Sequence, residues 1–454
     1  MNFITETSKQ IKVVDDVDIV VLGGSSTGVF AAVRAARLGA KVAIVERTNA
    51  FGGTGSQGMM CMWDTLYDTT FKKQIIAGLT QETLERLKRI PNAVDINEPE
   101  PDAVFRLSTI GVHRVNSEEL KIELDNLIKE SNVHPYLHTF YSTPYLEDGK
   151  LTAIITESKA GRCAIRAKYF IDATADGDLG IHMGMETYHN GAVQPASTAC
   201  KIYGYEKLKN PDEILRKHEE RIGCNIGWDT WIAGTPHVRS WYKTNVLYDC
   251  SDGEQLTAAE IEGRAQIRRM MDVLRENDPA AKDLVLLSLA SMIGARETRQ
   301  LRCSYQVTFE DIITGREFED AVVYCAYPPD IHHHDKPGAT FWYMDGIEEY
   351  WRFDCESEFK RWKTDASEHK TFWQLPYRAM LPKSVDNLLI CGRAVDADKG
   401  AFSAIRSLIC MNQTGEAAGV ACYEALSSNK TVQDIDFKAM RRKMKQGGSI
   451  VFND

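Results

Sequence analysis

Val17–Gly53 reads VDIVVLGGSSTGVFAAVRAARLGAKVAIVERTNAFGG. Asp18–Leu22 is a short β-branched apolar run, which predicts a buried strand. Gly23–Gly28 is a tight glycine turn. Val29–Leu38 is rich in Ala, Arg and Leu, with apolar residues at helical spacing. Gly39 ends that helix, and Lys41–Val45 is a second strand that closes on Glu46. This is a βαβ unit with an acid at the tip of its second strand. Unpaired N–H groups at the helix start attract a pyrophosphate, and the Glu46 carboxylate can accept ribose hydroxyls. The stretch predicts a dinucleotide.

Ser25 stands where the middle glycine of the fingerprint is expected. A small Ser is tolerable there, although that position brings the backbone close to the pyrophosphate. Glu46 favours an unphosphorylated ribose, while Arg47 beside it leaves an opening for a 2′-phosphate.

At 454 residues the chain exceeds one simple core, so two joined domains are expected. Hydrophobic content of 43% and charged content of 26% suit a soluble globular enzyme. A formal net charge of −10 argues against a polyanion as main partner, so no nucleic acid is expected. The 11 cysteines are scattered and never spaced C-x-x-C. They read as reduced thiols of a cytoplasmic protein, with no disulfide frame and no metal site. Met1–Asp16 has no apolar signal core, and no apolar run is long enough for a membrane span.

Thr80–Ile90 predicts a helix and Pro91–Asp102 an exposed acidic loop. Asn116 with Glu119 looks like a capping box opening a helix through Glu130. Val133–Thr139 predicts a strand, and Leu151–Ser158 with Cys163–Arg166 a hairpin-like pair. Tyr169–Ala173 predicts another buried strand. Seven of the eight tryptophans lie between Met183 and Pro382, which marks a second domain. Thr257–Asn277 predicts a long charged helix, Asn387–Cys391 a buried strand and Leu408–Leu426 a small-residue helix.

Further motifs follow in order: Gly52-Gly53-Thr54, then Phe170-Ile171-Asp172-Ala173-Thr174, then Gly294-Ala295-Arg296-Glu297-Thr298-Arg299. After them come Leu375-Pro376-Tyr377-Arg378, Asn387-Leu388-Leu389-Ile390-Cys391-Gly392-Arg393 and Gly415-Glu416-Ala417-Ala418-Gly419. With these the chain resembles the bacterial FAD-dependent oxidoreductases of the glutathione-reductase structural class, which include heterodisulfide-reductase-like flavoproteins. The resemblance implies FAD as cofactor. It implies that Gly23, Gly24, Ser25, Ser26, Thr27 and Gly28 cradle the pyrophosphate, with Glu46 and Arg47 at the adenosine ribose. It implies Gly52, Gly53 and Thr54 along the cofactor, Thr139 and Phe140 near the adenine, and Ala173, Thr174, Ala175 and Asp176 under the nucleotide. Gly392 and Arg393 would sit at the ribityl chain. Met411, Asn412 and Gly415 would face the flavin pyrimidine, where a positive helix end favours the reduced flavin. The family usually has Ala-Thr-Gly where this chain has Ala173-Thr174-Ala175. The ring-side segment often carries Ser and His, but here reads Ala394-Val395-Asp396-Ala397-Asp398-Lys399.

Disulfide reductases of this fold carry Gly-Gly-Thr-Cys-x-x-x-x-Cys. Here Gly55 follows Thr54 and Cys61 stands alone, so no dithiol forms there, and Cys61 reads as a buried structural thiol. Arg296, Arg299 and Arg378 can clamp a carboxylate or enolate-like oxygen, or else pair with Glu297 or Asp311. One of His332, His333 and His334, on a loop after Tyr327, is the leading proton acceptor; the alternative is a plain exposed loop. Lys399 beyond Arg393 can assist electrostatically, or simply pair with Asp396 or Asp398. The active-site wall is expected from the segment after Gly53, from Tyr327–His334 and from Asp396–Lys399.

The expected fold class is α/β: a Rossmann-like FAD-binding domain with a three-layer parallel sheet and an inserted mixed α+β substrate or cap domain. The expected boundaries are 17–182 with an inserted loop near 71–112, then 183–383 for the cap, 384–427 for the rest of the FAD domain, and a tail from 428 to 454. The expected function is hydride transfer between flavin N5 and a small polar or ring-bearing metabolite, an alcohol or amine, with a sugar-derived one in view. The alternatives are a flavin-dependent isomerase or bond-cleaving enzyme without net redox change, and a non-catalytic nucleotide-binding protein. Substrate, electron acceptor and oligomeric state stay open.

Overall fold

The computed structural model describes residues 3–353, 355–364 and 368–452. The βαβ unit forms as β1 (Lys12–Leu22), α1 (Ser26–Arg37) and β2 (Val42–Val45). α2 (Ser117–Glu130) leads into β3 (His134–Tyr136), which pairs in parallel with β2. The Asn116 side chain caps α2 by accepting from the Glu118 amide at 3.0 Å. β4 (Phe140–Glu147), β5 (Lys150–Ser158) and β6 (Gly161–Asp172) form an antiparallel meander.

β6 corrects an expectation. The expected hairpin strand Cys163–Arg166 and the buried strand Tyr169–Ala173 are one strand. Its first half pairs with β5 on one side, while on the other side nearly its whole length, Cys163 to Asp172, runs parallel to β1. Exposed Arg166 and Lys168 alternate with buried neighbours and interrupt the apolar run in the sequence without interrupting the strand. Far along the chain, β7 (Leu388–Ile390) joins the free end of β6 in parallel.

The parallel strands are buried on both faces, which is why they read as continuous apolar runs. Ile19, Val21, Ile171 and Leu389 point to the helical side. Val20, Leu22, Phe170, Leu388 and Ile390 point to the other side, against Leu151, Ile154 and Ile165. Leu301 and Cys303, from the middle of the chain, pack on that second face, so the two halves of the molecule share a core.

The middle region holds α3 (Gly253–Asn277), capped by the Asp252 side chain on the Gln255 amide at 2.9 Å. Cys200–Tyr203, Trp228–Ile232, Thr235–Tyr242 and Val285–Leu289 make one antiparallel sheet. Asp330–His332, Ala339–Trp342, Ile347–Trp351 and Glu358–Arg361 make another. The expected exposed loop over Pro91–Asp102 holds strand Val94–Ile96. It joins Met62–Asp64 and Gly111–Val115 in a third small sheet.

After β7 come α4 (Lys399–Ile405) and α5 (Leu408–Ser428). α5 lies on α1 at backbone contact. A Cβ on Gly415 would stand 2.0 Å from the Thr27 carbonyl oxygen, and one on Gly419 would stand 2.2 Å from that of Ala31. Within residues 428–454, Phe437–Gln446 is a helix whose Met440 and Met444 enter the main core.

Candidate active site

The glycine turn and Glu46 meet at the carboxyl ends of β1 and β2. Gly24 donates its N–H to Glu46 Oε2 at 2.7 Å, and the Thr48 amide and hydroxyl both reach Oε1 at 2.8 Å. Three donors therefore fix the carboxylate beside the turn, while exposed Arg47 points outward. Gly28 is required by close packing, since its Cβ would lie 1.9 Å from the Gly23 carbonyl oxygen. Ser25 bridges to Gly52, whose amide donates to the Gly24 carbonyl at 2.8 Å. Thr139 donates its amide to the Glu46 carbonyl at 3.1 Å, and Phe140 beside it is largely exposed.

The third segment at this cleft is Ala173–Asp176. Asp172 beneath it accepts from the Thr174 hydroxyl at 2.7 Å and from the Leu179 and Gly180 amides at 2.9 and 3.0 Å. Ala175 has a φ of 72°, the left-handed region that glycine enters freely. The family's usual glycine at this position has its physical reason there.

The fourth segment comes from the far end of the chain. The Gly392 amide donates to Thr414 Oγ1 at 3.0 Å, and the Ser26 hydroxyl donates to Asn412 Oδ1 at 2.7 Å. Arg393 reaches Asp176 at 3.3 Å. Arg393 Nη1 and Asn412 Nδ2 are buried without a hydrogen-bond partner among the described residues. Such orphaned donors ask for a polar ligand.

A cavity of about 480 Å³ opens between these segments and the middle region. Thr54, Arg393 and Met411 reach it from the nucleotide side. Met60, Met62, Asp64 and Ile110 line it from the small sheet. Trp228, Tyr242, Phe341, Trp351 and Phe353 close it from the middle region. Its polar lining includes Arg296, Tyr327, Asp330, His332, Arg406 and Ser407 on one side, with Asp64, Asp229 and Arg393 around them.

Asp330 organises that cluster. Its Oδ2 accepts from Arg406 at 2.8 Å and from the Tyr327 hydroxyl at 2.9 Å, and its amide donor meets Ser403 Oγ at 3.0 Å. His332 Nε2 stands 3.4 Å from Asp330 Oδ1. Burial and then the Arg296 charge push His332 down to about 4, while Asp330 pulls the other way. The imidazole is therefore neutral near pH 7. Burial opposes ionisation of Asp330, but His332 and Arg406 outweigh it and hold the carboxyl well below its usual range.

The other proposed residues fall elsewhere. Tyr327–His334 is only partly loop, since Asp330–His332 is a strand; its alternation turns His332 into the chamber. His333 Nε2 meets Thr340 Oγ1 at 2.8 Å and lines a second, outer cavity of about 350 Å³. His334 lines that outer cavity too and is exposed. Arg296 lies on the wall between the two cavities and donates to the Pro195 carbonyl, without pairing to Glu297. Arg378 lies outside both cavities, in a bidentate surface pair with Asp320 at 2.8 and 3.0 Å. Arg299 pairs with Asp178 at 3.2 Å. Lys399 donates to the Ala192 carbonyl at 2.9 Å, outside the chamber. Asp396 turns inward to Tyr188 and the Cys303 amide, so Arg406–Met411 supplies the wall expected from Asp396–Lys399. Cys61 is buried with the Tyr242 hydroxyl 3.1 Å from its sulfur, and burial pushes its thiol up.

The sequence reading missed Asp64, Asp330 and Arg406. Asp330 and Arg406 are 76 residues apart, and only their contact makes either conspicuous.

A family model described as FAD dependent oxidoreductase matches residues 18–444. The chain belongs to this family. Similar solved structures include a geranylgeranyl bacteriochlorophyll reductase-like protein from Thermoplasma acidophilum, at 13% identity and a TM-score of 0.47, covering 95% of this chain and 83% of that one. The myxobacterial chondrochloren halogenase has 12% identity and a TM-score of 0.45, covering 95% and 79%. No curated protein sequence matches the chain.

FAD is the cofactor of this oxidoreductase, and the residues fit it. The fixed Glu46 carboxylate can take ribose hydroxyls. The free N–H groups at the start of α1 suit a pyrophosphate, and the orphaned Arg393 and Asn412 donors suit a polar chain running toward α5. Family membership sets aside a purely nucleotide-binding role. Among the described residues no helix is long and apolar enough to cross a membrane, and no cluster of His, Cys, Asp and Glu could hold a metal ion.

Proposed function

We propose that this oxidoreductase moves a hydride between FAD and a small polar or ring-bearing metabolite, an alcohol or amine, held in the 480 Å³ chamber. The observation that carries the reading is His332 set 3.4 Å from Asp330, in a chamber shared by cofactor-side and cap residues. FAD bound there supplies the two-electron hydride chemistry at flavin N5.

The side chains supply the rest. Asp330, held ionised by Arg406 and Tyr327, favours the imidazole tautomer with its proton on Nε2. Nδ1 then accepts the hydroxyl or amine proton of the substrate, and Asp330 stabilises the resulting imidazolium. Trp228, Trp351 and Phe353 exclude water and offer faces to a ring, a sugar-derived one included. Arg296 meets a carboxylate or enolate-like oxygen.

We also group the chain with the glutathione-reductase structural class and its heterodisulfide-reductase-like flavoproteins. The support is the order of the Gly23–Gly28, Gly52–Thr54 and Gly392–Arg393 segments around one cleft. Disulfide chemistry is not part of the proposal, because Cys61 has no partner thiol in its segment. A cytoplasmic setting agrees with the free cysteines.

An anaerobic screen for metabolites that bleach the yellow flavin tests the reading. His332→Gln should slow reduction by the metabolite so found by about 10²–10⁴-fold with FAD content unchanged. The wild-type rate at saturating metabolite should hold across neutral pH and fall as the pH drops toward about 4, where His332 gains its proton. Normal reduction by the variant would remove His332 from the mechanism.

A further inference from the structure

Charged residues lining the chamber are matched, with two exceptions. Arg393 pairs with Asp176, and Asp330 pairs with Arg406. Asp229 pairs with the buried Lys243 at 2.5 Å. Arg296 makes no ion pair among the described residues: it donates to the Pro195 carbonyl, burial and the Arg406 charge pull it down to about 10, and Asp330 opposes this only from beyond contact. Asp64, at the end of strand Met62–Asp64, makes no ion pair among the described residues. One guanidinium and one carboxyl are thus left open in the same apolar chamber.

Their environments decide their charges. Burial and the neighbouring Asp330 carboxylate push Asp64 up to about 8, and Arg406 and the Ser407 hydroxyl offset this only in part. Tyr327 and Cys410 also feel Asp64; burial raises both, so they add no charge near neutrality. At pH 7 the unmatched set is therefore Arg296⁺ and a neutral Asp64 carboxyl, and the chamber carries one net positive charge. A half-buried cation without an ion pair, set in an apolar wall, favours an anion as its ligand.

We propose that the substrate of this oxidoreductase is a carboxylate, with Arg296 as its counter-charge and the unpaired Asp64 side chain as its hydrogen-bond partner in the same chamber. This deepens the hydride-transfer reading and rests on it for the role of the chamber. The discriminating role of Asp64 is a matter of sign. A protonated carboxyl donates to an anion, whereas a carboxylate repels it and competes for the same guanidinium.

The test uses the FAD-loaded enzyme with benzoate and its neutral counterpart benzamide as probes, followed by the flavin difference spectrum and by titration calorimetry. Benzoate should bind at about pH 7 and weaken roughly tenfold per pH unit above about pH 8, as Asp64 ionises. Benzamide should bind at least tenfold more weakly, with no such alkaline limb. Asp64→Asn should bind benzoate without the limb at about pH 8, keeping only the later loss toward about pH 10 where Arg296 itself gives up its charge. Arg296→Gln should lose benzoate affinity by about 10–100-fold while keeping its FAD. Benzamide binding as well as benzoate, a limb at about pH 8 that survives in Asp64→Asn, or no calorimetric binding of benzoate at millimolar concentration would each overturn the proposal. The outcomes separate from those of the hydride reading. A flavin that no metabolite reduces leaves the benzoate titration intact. A failed titration leaves the bleaching screen intact.

Discussion

The nucleotide cleft and the substrate chamber are built from different materials. The cleft is made of backbone: the Gly23–Gly28 turn, the Gly52 amide, the Ala173–Asp176 bend and the Gly392 amide. Glu46 is held there by N–H and hydroxyl donors within 24 residues of the turn. The chamber is made of side chains that four separate stretches bring together: Asp64, Arg296, Asp330 with His332, and Arg406. Backbone sites are written locally, as glycine positions and strand spacing. Side-chain sites are written only in the tertiary contacts.

That difference predicts opposite sensitivities. The largest effect should come from adding atoms where two backbones touch in the cleft. Gly415→Val would drive a side chain into the Thr27 carbonyl, because even a Cβ would sit 2.0 Å away. α5 would have to leave α1, and with it Ser26 would lose Asn412. We expect a loss of at least about 3 kcal/mol and recovery of aggregated or FAD-free protein, seen by flavin absorbance and chemical denaturation. A soluble variant with full FAD and unchanged stability would break the comparison at its strongest point.

The same contrast explains what could be read in advance. β1, α1, β2 and Glu46 were legible because strand, turn, helix and acid lie in register within one stretch. α5 and β7 were legible from composition. The single strand β6 was not, since exposed Arg166 and Lys168 break its pattern while its pairing with β1 continues. In the chamber, His332 stood out by residue type, yet nothing local separated it from His333 and His334; the pairing of Asp330–His332 with Ala339–Phe341 does so. Arg378 looked as good as Arg296 in sequence. Asp320 takes Arg378 at the surface, and no carboxylate takes Arg296 among the described residues. Asp64 gave no signal at all, because its environment comes from Asp330, 266 positions later.

A medium effect should separate chamber from cleft by pH. Asp64 has its folded pKa raised above the ordinary carboxylate value of 3.8, to about 8. Between those values the folded chain keeps a proton that the unfolded chain has released, so stability falls as pH rises through the window. The contribution is present at low pH and is lost once the pH passes about 8. Asp64→Asn removes this titration. Its stability relative to wild type should therefore improve with pH, by about 1 kcal/mol between about pH 7 and about pH 9, with FAD content unchanged. Denaturant titrations at several pH values measure it. Parallel curves for the two proteins would mean that Asp64 is ordinary and that the chamber stores no proton.

The smallest effect lies at the one place where the cleft itself uses the wrong residue for its backbone. Ala175 holds a φ of 72°, and an L-residue with a Cβ pays about 1–2 kcal/mol for left-handed geometry. Glycine would relieve this, but it also loosens the unfolded chain by about 0.4–1 kcal/mol. The balance favours Ala175→Gly by a few tenths to about 1 kcal/mol. In a chain of this length that is a rise of only about 1–2 °C in Tm. The neighbouring Gly177 is the control. Its φ of 70° is equally left-handed, and a Cβ there would meet the Leu301 side chain at 2.7 Å. Gly177→Ala should lower stability by more than Ala175→Gly raises it. Thermal melts of the two variants, read with FAD retention, check the pair. A destabilised Ala175→Gly would show that the Ala175 methyl makes a contact worth more than its strained backbone, and the Ala173–Asp176 bend could then no longer be counted among the backbone parts of the cleft.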